Sequence, residues 1–162
     1  MSASIELVPA QEAELVAVAR ELFCEYADAI GVDLEYQGFS AELAALPSPY
    51  VPPHGALLIA QIDGDNAGCV ALRRLDDRSG ELKRLYVRPG YRSLGVGNLL
   101  VEAIISVARG AGYSELKLDT LPQMASAQRL YRKLGFVEIA PYNDTALPRT
   151  RFFGRSLSGP GT

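Results

Sequence analysis

The sequence has no tryptophan, only two cysteines and a single histidine among its 162 residues. Cys24 and Cys69 stand 45 residues apart and form no Cys-x-x-Cys pair. We therefore expect neither a disulfide framework nor a zinc site, and no bound metal. Both cysteines have apolar neighbours, which indicates buried free thiols and a reducing compartment. His54 follows Pro52-Pro53, and a lone loop histidine is expected at the surface rather than in catalysis.

Long hydrophobic runs are also missing. The most apolar window, 94–108, is interrupted by Asn98, Glu102 and Ser106. It falls short of the ~20 apolar residues that a membrane helix needs. The first residues, 1–6, show neither the basic stretch nor the apolar core of a signal peptide. We therefore expect a cytoplasmic protein that has no membrane partner.

The composition that is present suits a single folded domain. Apolar residues make up 48% of the chain, and a chain of this size buries about two-thirds of its unfolded surface without needing disulfides or metals. We predict one domain over residues 1–162, with residues 158–162 as a frayed tail.

The net charge of −3 conceals an uneven distribution. Residues 1–81 contain 4 Lys+Arg and 14 Asp+Glu, a balance of −10, whereas residues 82–162 contain 12 and 5, a balance of +7. Such asymmetry is a reason to expect a charged partner. Chance segregation of solvated surface charge is the alternative.

Hydrophobic periodicity predicts alternating strands and helices. Leu15, Ala19, Leu22 and Tyr26 recur at helical spacing in a helix that Gly31 ends. Helices are predicted over 11–30, 40–46, 97–109 and 124–134, and strands over 5–8, 57–62, 67–73, 81–87, 115–119, 136–139 and 151–157. This order predicts the α/β class, with one mixed sheet that carries helices on both faces. The helix at 97–109 connects two strands, which favours local parallel pairing.

A glycine-bearing loop at 88–96 joins the strand that ends at Val87 to the following helix. The first N–H groups of a helix lack intrahelical partners and lie at the positive end of its dipole, so this arrangement suits a pyrophosphate. A P-loop is excluded because no Gly-Lys-Ser/Thr follows. A Rossmann fingerprint fits less well, since Leu100 stands at the third glycine position and Gly95 lies well after the strand. A glycine turn that merely caps the helix remains an alternative.

Three segments together are similar to one family. Residues 92–97, Arg-Ser-Leu-Gly-Val-Gly, resemble the (Arg/Gln)-x-x-Gly-x-(Gly/Ala) signature of the GNAT family of N-acetyltransferases. Residues 81–89 resemble the strand that precedes this signature, and residues 127–136 resemble the later Ala-x-x-Leu-Tyr-x-x-x-Gly-Phe segment. The three occur in family order over about residues 5–157, as in the stand-alone single-domain members of bacteria.

This resemblance implies a fold and a cofactor. The GNAT fold is a twisted mixed sheet of about seven strands with about four helices, in which two parallel strands splay apart around acetyl-CoA. Backbone groups at Leu85 and Val87 would then pair with pantetheine. The pyrophosphate would be bound by Arg92 and by the N–H groups of Ser93, Leu94, Gly95, Val96 and Gly97. Many members carry asparagine where this chain has Met124, and Ser126 is the candidate substitute.

The resemblance also implies a direct acetyl transfer without a covalent enzyme intermediate. Tyr131 matches the general acid, and Glu81 and Asp119 are alternative general bases, a bound water being a third route. Asp119 is shorter than the glutamate expected at its position. A main-chain N–H near Leu85 is the candidate oxyanion donor.

The resemblance implies that the acceptor binds between residues 24–37 and 141–149, where carboxylates and tyrosines suit a cationic amine. We predict a small-molecule primary amine as acceptor, with a protein N-terminus or lysine as the alternative, and a non-catalytic acyl-CoA-binding module as another. A monomer or homodimer is expected. The basic residues form no aromatic-basic motif, so no nucleic-acid partner is expected.

Overall fold

A computed structural model describes residues 4–144 and 147–157. The tail expected at 158–162 lies outside the described residues. The strands are β1 (Ile5–Pro9), β2 (Ala56–Ile62), β3 (Asp65–Arg74), β4 (Ser79–Val87), β5 (Glu115–Thr120), β6 (Val137–Ile139) and β7 (Arg151–Ser156). The helices are α1 (Ala13–Ile30), α2 (Phe39–Ala45), α3 (Val96–Gly110) and α4 (Ala125–Lys133). Short 3₁₀ turns lie at Leu34–Gln37 and Pro89–Tyr91.

The strands form one seven-stranded sheet in the order β1-β2-β3-β4-β5-β7-β6. Neighbouring strands are antiparallel except β4 and β5, which are parallel because α3 connects them. The predicted mixed sheet and the closing antiparallel pair of β6 and β7 are confirmed. Among the described residues, no helix is both long enough and apolar enough to cross a membrane.

Helix α1 ends where the sequence predicts and packs its predicted face against the core. Gly31 adopts a left-handed conformation with φ of 68° and closes the helix through its N–H bond to the Asp28 carbonyl. Ala19 and Leu22 are buried, and Leu15 and Tyr26 are partly buried against the same cluster, so the predicted face is confirmed. The buried Val16 and Phe23 extend this face.

The helices cover the two faces of the sheet. Core residues on one face come from α1 and the sheet, and include Phe23, Ile59 and Ala71. Those on the other face come from α3, α4 and the sheet, and include Leu100 and Leu118. Of the two free thiols, Cys69 is buried as predicted, but Cys24 is exposed because it lies on the outer side of α1.

Strands β4 and β5 separate after a short parallel contact. Their pairing covers only Ser79–Glu81 against Glu115–Lys117. Beyond it, β4 carries a bulge, where the register against β3 shifts and Arg84 adopts φ of 60°. The gap that opens between the two strands positions the site described next.

Candidate functional site

Two cavities follow one another along β4. The first, which we call the carboxylate cavity, includes Glu81, Lys83 and Asp119 in its lining and has a volume of about 290 Å³. The second, the loop cavity, includes Leu85 and Val87 and measures about 490 Å³. Strand β4 thus contributes residues to both cavities, at the point where its pairing with β5 ends.

The loop cavity brings together most of the residues predicted to bind a cofactor. Its lining includes Leu85, Val87, Arg92, Ser93, Gly95, Val96, Gly97 and Ser126. Leu94 is not part of this lining, and half of its side chain is exposed. The expected role of its main-chain N–H stays a prediction.

The turn before α3 presents the helix N-terminus to the loop cavity. Ser93 and Gly95 both have positive φ, 71° and 83°, and the helix begins at Val96. Gly97 is in close contact with α4, since a Cβ there would lie 3.2 Å from Leu130. The Arg92 side chain is held beside the strand by a 3.0 Å hydrogen bond from its Nε to the Val87 carbonyl. Free N–H groups, a helix dipole and a guanidinium therefore converge, which suits an anionic phosphate.

The structure adds lining residues that the sequence reasoning missed. Tyr26, Ala29 and Ile30 approach the loop cavity from α1, and Lys133 approaches from α4. Gln123 ties the two sides together by donating a 3.0 Å hydrogen bond to the Ile30 carbonyl. Lys133 lies in the third segment that resembles the GNAT family, so the sequence could have indicated this residue. Nothing in the residue spacing of α1 indicated that this helix would approach the loop cavity.

Met124 and Ser126 lie at the start of α4, and both line the loop cavity. Met124 occupies the N-cap position and makes no side-chain capping bond. The Ser126 hydroxyl accepts a 3.1 Å hydrogen bond from Arg129. The predicted substitution of Ser126 for the usual asparagine stays a prediction.

Glu81 is almost fully buried and has both carboxylate oxygens engaged. Arg73 Nε lies 2.6 Å from Oε1, and the Tyr142 hydroxyl donates to Oε2 at 2.6 Å. Its side chain is only 2% exposed. These two hydrogen bonds hold the Glu81 carboxylate in a fixed position at the cavity wall.

Asp119 is the less constrained carboxylate. Burial raises its pKa above the ordinary range, and the negative charge of Glu81 adds to this effect. Lys83 and the Asn143 amide act in the opposite direction but do not cancel it. A carboxylate whose pKa moves towards neutrality is better matched to proton abstraction.

Lys83 and Gln37 line the same cavity with polar atoms that have no hydrogen-bond partner among the described residues. The ion pairs of the described residues do not include Lys83. Its pKa is lowered chiefly by burial, against the raising influence of Glu81 and Asp119. Gln37 donates through Nε2 to the Tyr36 hydroxyl at 3.1 Å, while its Oε1 is buried without a donor.

Arg84, at the bulge, holds α2 against the site. Its guanidinium makes two bonds to Glu42, of 3.0 and 2.6 Å, and the Tyr50 hydroxyl donates to the same carboxylate at 2.8 Å. The guanidinium also lies over the rings of Tyr26 and Phe39, 5.7 and 5.4 Å from their centroids. The unusual backbone at residue 84 thus coincides with a buried ion pair.

Tyr131 is buried in the core beside Phe136 and Phe153, with ring centroids 5.7 and 6.4 Å away. It is part of neither cavity lining. Burial raises its pKa, and the next causes are the charges of Tyr26 and Asp119. Those two residues line the two different cavities. The phenol of Tyr131 stays protonated at neutral pH.

Comparison with known proteins identifies the family. The sequence pattern of the acetyltransferase (GNAT) family matches residues 16–136. A protein of Schizosaccharomyces pombe that bears the name of an uncharacterized N-acetyltransferase is 40% identical over 136 residues, which is 83% of each chain. The chain therefore belongs to the GNAT family and is an N-acetyltransferase by class.

Solved structures show the same fold. A GNAT acetyltransferase of Staphylococcus aureus superposes with a TM-score of 0.80 at 24% identity, over 96% of this chain and all of the other. An N-acetyltransferase of Thermoplasma acidophilum in complex with coenzyme A gives a TM-score of 0.69 at 23% identity, over 94% and 99% of the two chains. At these identities the likeness establishes the architecture, which is the one expected from the sequence.

Proposed function

We propose that the protein transfers an acetyl group from acetyl-CoA directly to the primary amine of a small molecule. The observation that carries this proposal is the arrangement of the two cavities, which lie in sequence along β4 where it parts from β5. One cavity suits the phosphates of CoA, and the other supplies groups that handle protons.

The loop cavity is proposed to hold CoA. The N–H groups at residues 93–97 and the Arg92 guanidinium would bind the pyrophosphate, while the free edge of β4 at Leu85 and Val87 would pair with the pantetheine arm. The bound thioester supplies the activated acetyl group. Lys133, which lines the same cavity, adds a positive charge.

Asp119 is proposed as the base that takes the proton from the acceptor amine, directly or through one water. Its raised pKa favours it over Glu81, whose two oxygens are already hydrogen-bonded. As the C–N bond forms, negative charge grows on the carbonyl oxygen, and the Leu85 N–H, beside the bulge at Arg84, is the donor proposed for it. Tyr131 then gives its proton to the sulfur as the C–S bond breaks.

The size of the carboxylate cavity favours a small acceptor. About 290 Å³ is the volume of about ten waters. We also propose a cytoplasmic location, because two free cysteines fit a reducing compartment.

The test is CoA release from acetyl-CoA in the presence of a broad panel of amines. We expect turnover with at least one small amine, and Tyr131→Phe is expected to lower kcat by about 10²- to 10⁴-fold while CoA binding is kept. Tyr113→Phe is the matched control, since its hydroxyl bonds to the His54 carbonyl outside both cavities.

Absence of CoA release with every amine would overturn the proposed function. Full activity of Tyr131→Phe would overturn only the assignment of the acid. Mass spectrometry would detect acetylated peptides. Acetylation of peptides in preference to all small amines would show that the substrate is a protein.

A further inference from the structure

We infer that the acceptor is an amino carboxylate, a small molecule with both an amine and a carboxylate group, and that Lys83 binds the carboxylate. This inference rests on the proposed function and narrows its substrate class. It replaces the expectation of a purely cationic acceptor, because the carboxylate cavity presents groups of both signs.

Some of the charged side chains that line the carboxylate cavity form ion pairs, and others do not. Glu42 is paired with Arg84, and Glu81 is paired with Arg73. What remains is Asp119, together with Lys83. The two groups without a charged partner are thus one carboxylate and one ammonium.

Lys83 and Asp119 do not satisfy each other. No ion pair within 4.0 Å joins them among the described residues, although each influences the pKa of the other. Lys83 is partly buried and lines the cavity, and no hydrogen bond joins its ammonium to an anion of the described residues. A carboxylate supplied by a ligand would provide that anion.

Other residues that line the cavity supply hydrogen-bond acceptors for the amine group of the ligand. Gln37 Oε1 is a buried acceptor that has no donor, and an ammonium or amine N–H would satisfy it. Asp119 is the second acceptor. Two acceptors for the amine and one cation for the carboxylate match the two ends of an amino acid.

The experiment compares acceptors that differ only at the carboxylate. Each of several L-amino acids is assayed by CoA release beside its amide and beside the amine that lacks the carboxyl group. We expect the amino acid to have a kcat/KM at least 10-fold above both, as loss of a charge-assisted hydrogen bond predicts, about 10- to 100-fold.

Lys83→Met keeps the aliphatic stem and removes the charge. We expect it to lower the ratio of kcat/KM for the amino acid to kcat/KM for its decarboxylated amine by about 10-fold or more. Any effect of Lys83 on the pKa of the base Asp119 acts on both acceptors and cancels in this ratio. Lys83→Arg should restore part of the affinity. Arg74→Met is the control, because Arg74 is an exposed neighbour that pairs with Asp77 and lines neither cavity.

The outcomes distinguish failure of this inference from failure of the proposed function. Amines without a carboxylate that are used as well as amino acids would overturn this inference while the proposed function stands. Equal losses for both kinds of acceptor in Lys83→Met would also overturn it, as would acetylation of Lys83 itself in place of the amino acid. Failure to release CoA with any amine would overturn both, and retained CoA-dependent thermal stabilisation would show that the protein is folded.

Discussion

Asp119 links the proposed chemistry to stability. Its pKa is raised in the folded protein, so between the unfolded and folded pKa values the folded state binds more protons. Stability is therefore lost as pH rises through that window and remains lower at neutral pH. We expect Asp119→Asn to unfold at a higher urea concentration than the wild type at pH 7, although its activity is lost.

At about pH 3, below the ordinary aspartate pKa of about 3.9, the gain in stability should be much smaller, because the wild-type carboxyl is then largely protonated in both states. The control is Asp144→Asn, a change at an exposed carboxylate. An equal gain at both pH values would mean that packing, and not ionisation, is responsible.

At the scale of residues, the sequence could name candidates but not rank them. Glu81 and Asp119 were equivalent as carboxylates on strands, and only the partners of each side chain distinguish them. Lys83 and Gln37 carried no signal, because their importance comes from lacking partners in three dimensions. Whether a buried polar atom has a hydrogen-bond partner depends on residues that are distant in sequence.

The buried pair between β4 and α2 is an element-scale feature with a measurable effect. Arg84→Met leaves the Glu42 charge in a largely buried position, and we expect a loss of about 3–5 kcal/mol in the free energy of unfolding. The urea midpoint measures this loss. The double variant Arg84→Met/Glu42→Leu should recover most of it, since no unpaired charge remains.

Arg151→Met is the matched control for this experiment. Arg151 pairs with Glu138 at 3.0 Å, but both side chains are more than 40% exposed, so we expect a change of less than about 1 kcal/mol. An Arg84→Met protein no less stable than this control would contradict the account of α2 docking.

The start of α3 provides a second prediction at this scale. Gly97→Val would place methyl groups against Leu130 and into the loop cavity. CoA at 100 times its Kd should stabilise the wild type by about 2.7 kcal/mol, and a 100-fold weaker affinity would reduce this to about 0.4 kcal/mol. We expect Gly97→Val to approach the lower value in a thermal-shift experiment.

Gly110→Val, at the other end of α3, is the control because a Cβ there meets nothing within 4 Å. Equal stabilisation of both variants by CoA would show that the helix N-terminus is not the phosphate site. This result would leave the fold assignment untouched.

Element boundaries were largely predictable, because Gly31 and Pro47 are strong local signals for the ends of helices. The face of α1 was predictable as well, because its apolar residues recur at helical spacing and contact the core. The bulge at Arg84 was invisible in the sequence, since an arginine with positive φ follows no local rule.

At the scale of the whole molecule, the uneven charge has a structural explanation that the sequence reasoning missed. The sequence predicts a charged partner for this asymmetry. Two of the twelve Lys+Arg in residues 82–162 instead pair with the acidic half, Arg84 with Glu42 and Arg88 with Glu21 and Glu25. Long-range ion pairs cannot be assigned from composition, so only the presence of a charged partner was predictable.

These ion pairs make the protein resemble a complex between two oppositely charged polypeptides. A cut between Asp77 and Arg78, in the connection from β3 to β4, gives pieces with 3 and 13 Lys+Arg against 13 and 6 Asp+Glu, or net charges of −10 and +7. Long-range attraction should accelerate their association, and salt should screen it. We expect the two fragments to complement each other when mixed, with an association rate that falls steeply as ionic strength rises in stopped-flow measurements. A rate independent of salt would mean that the pairs form only after the fragments have met.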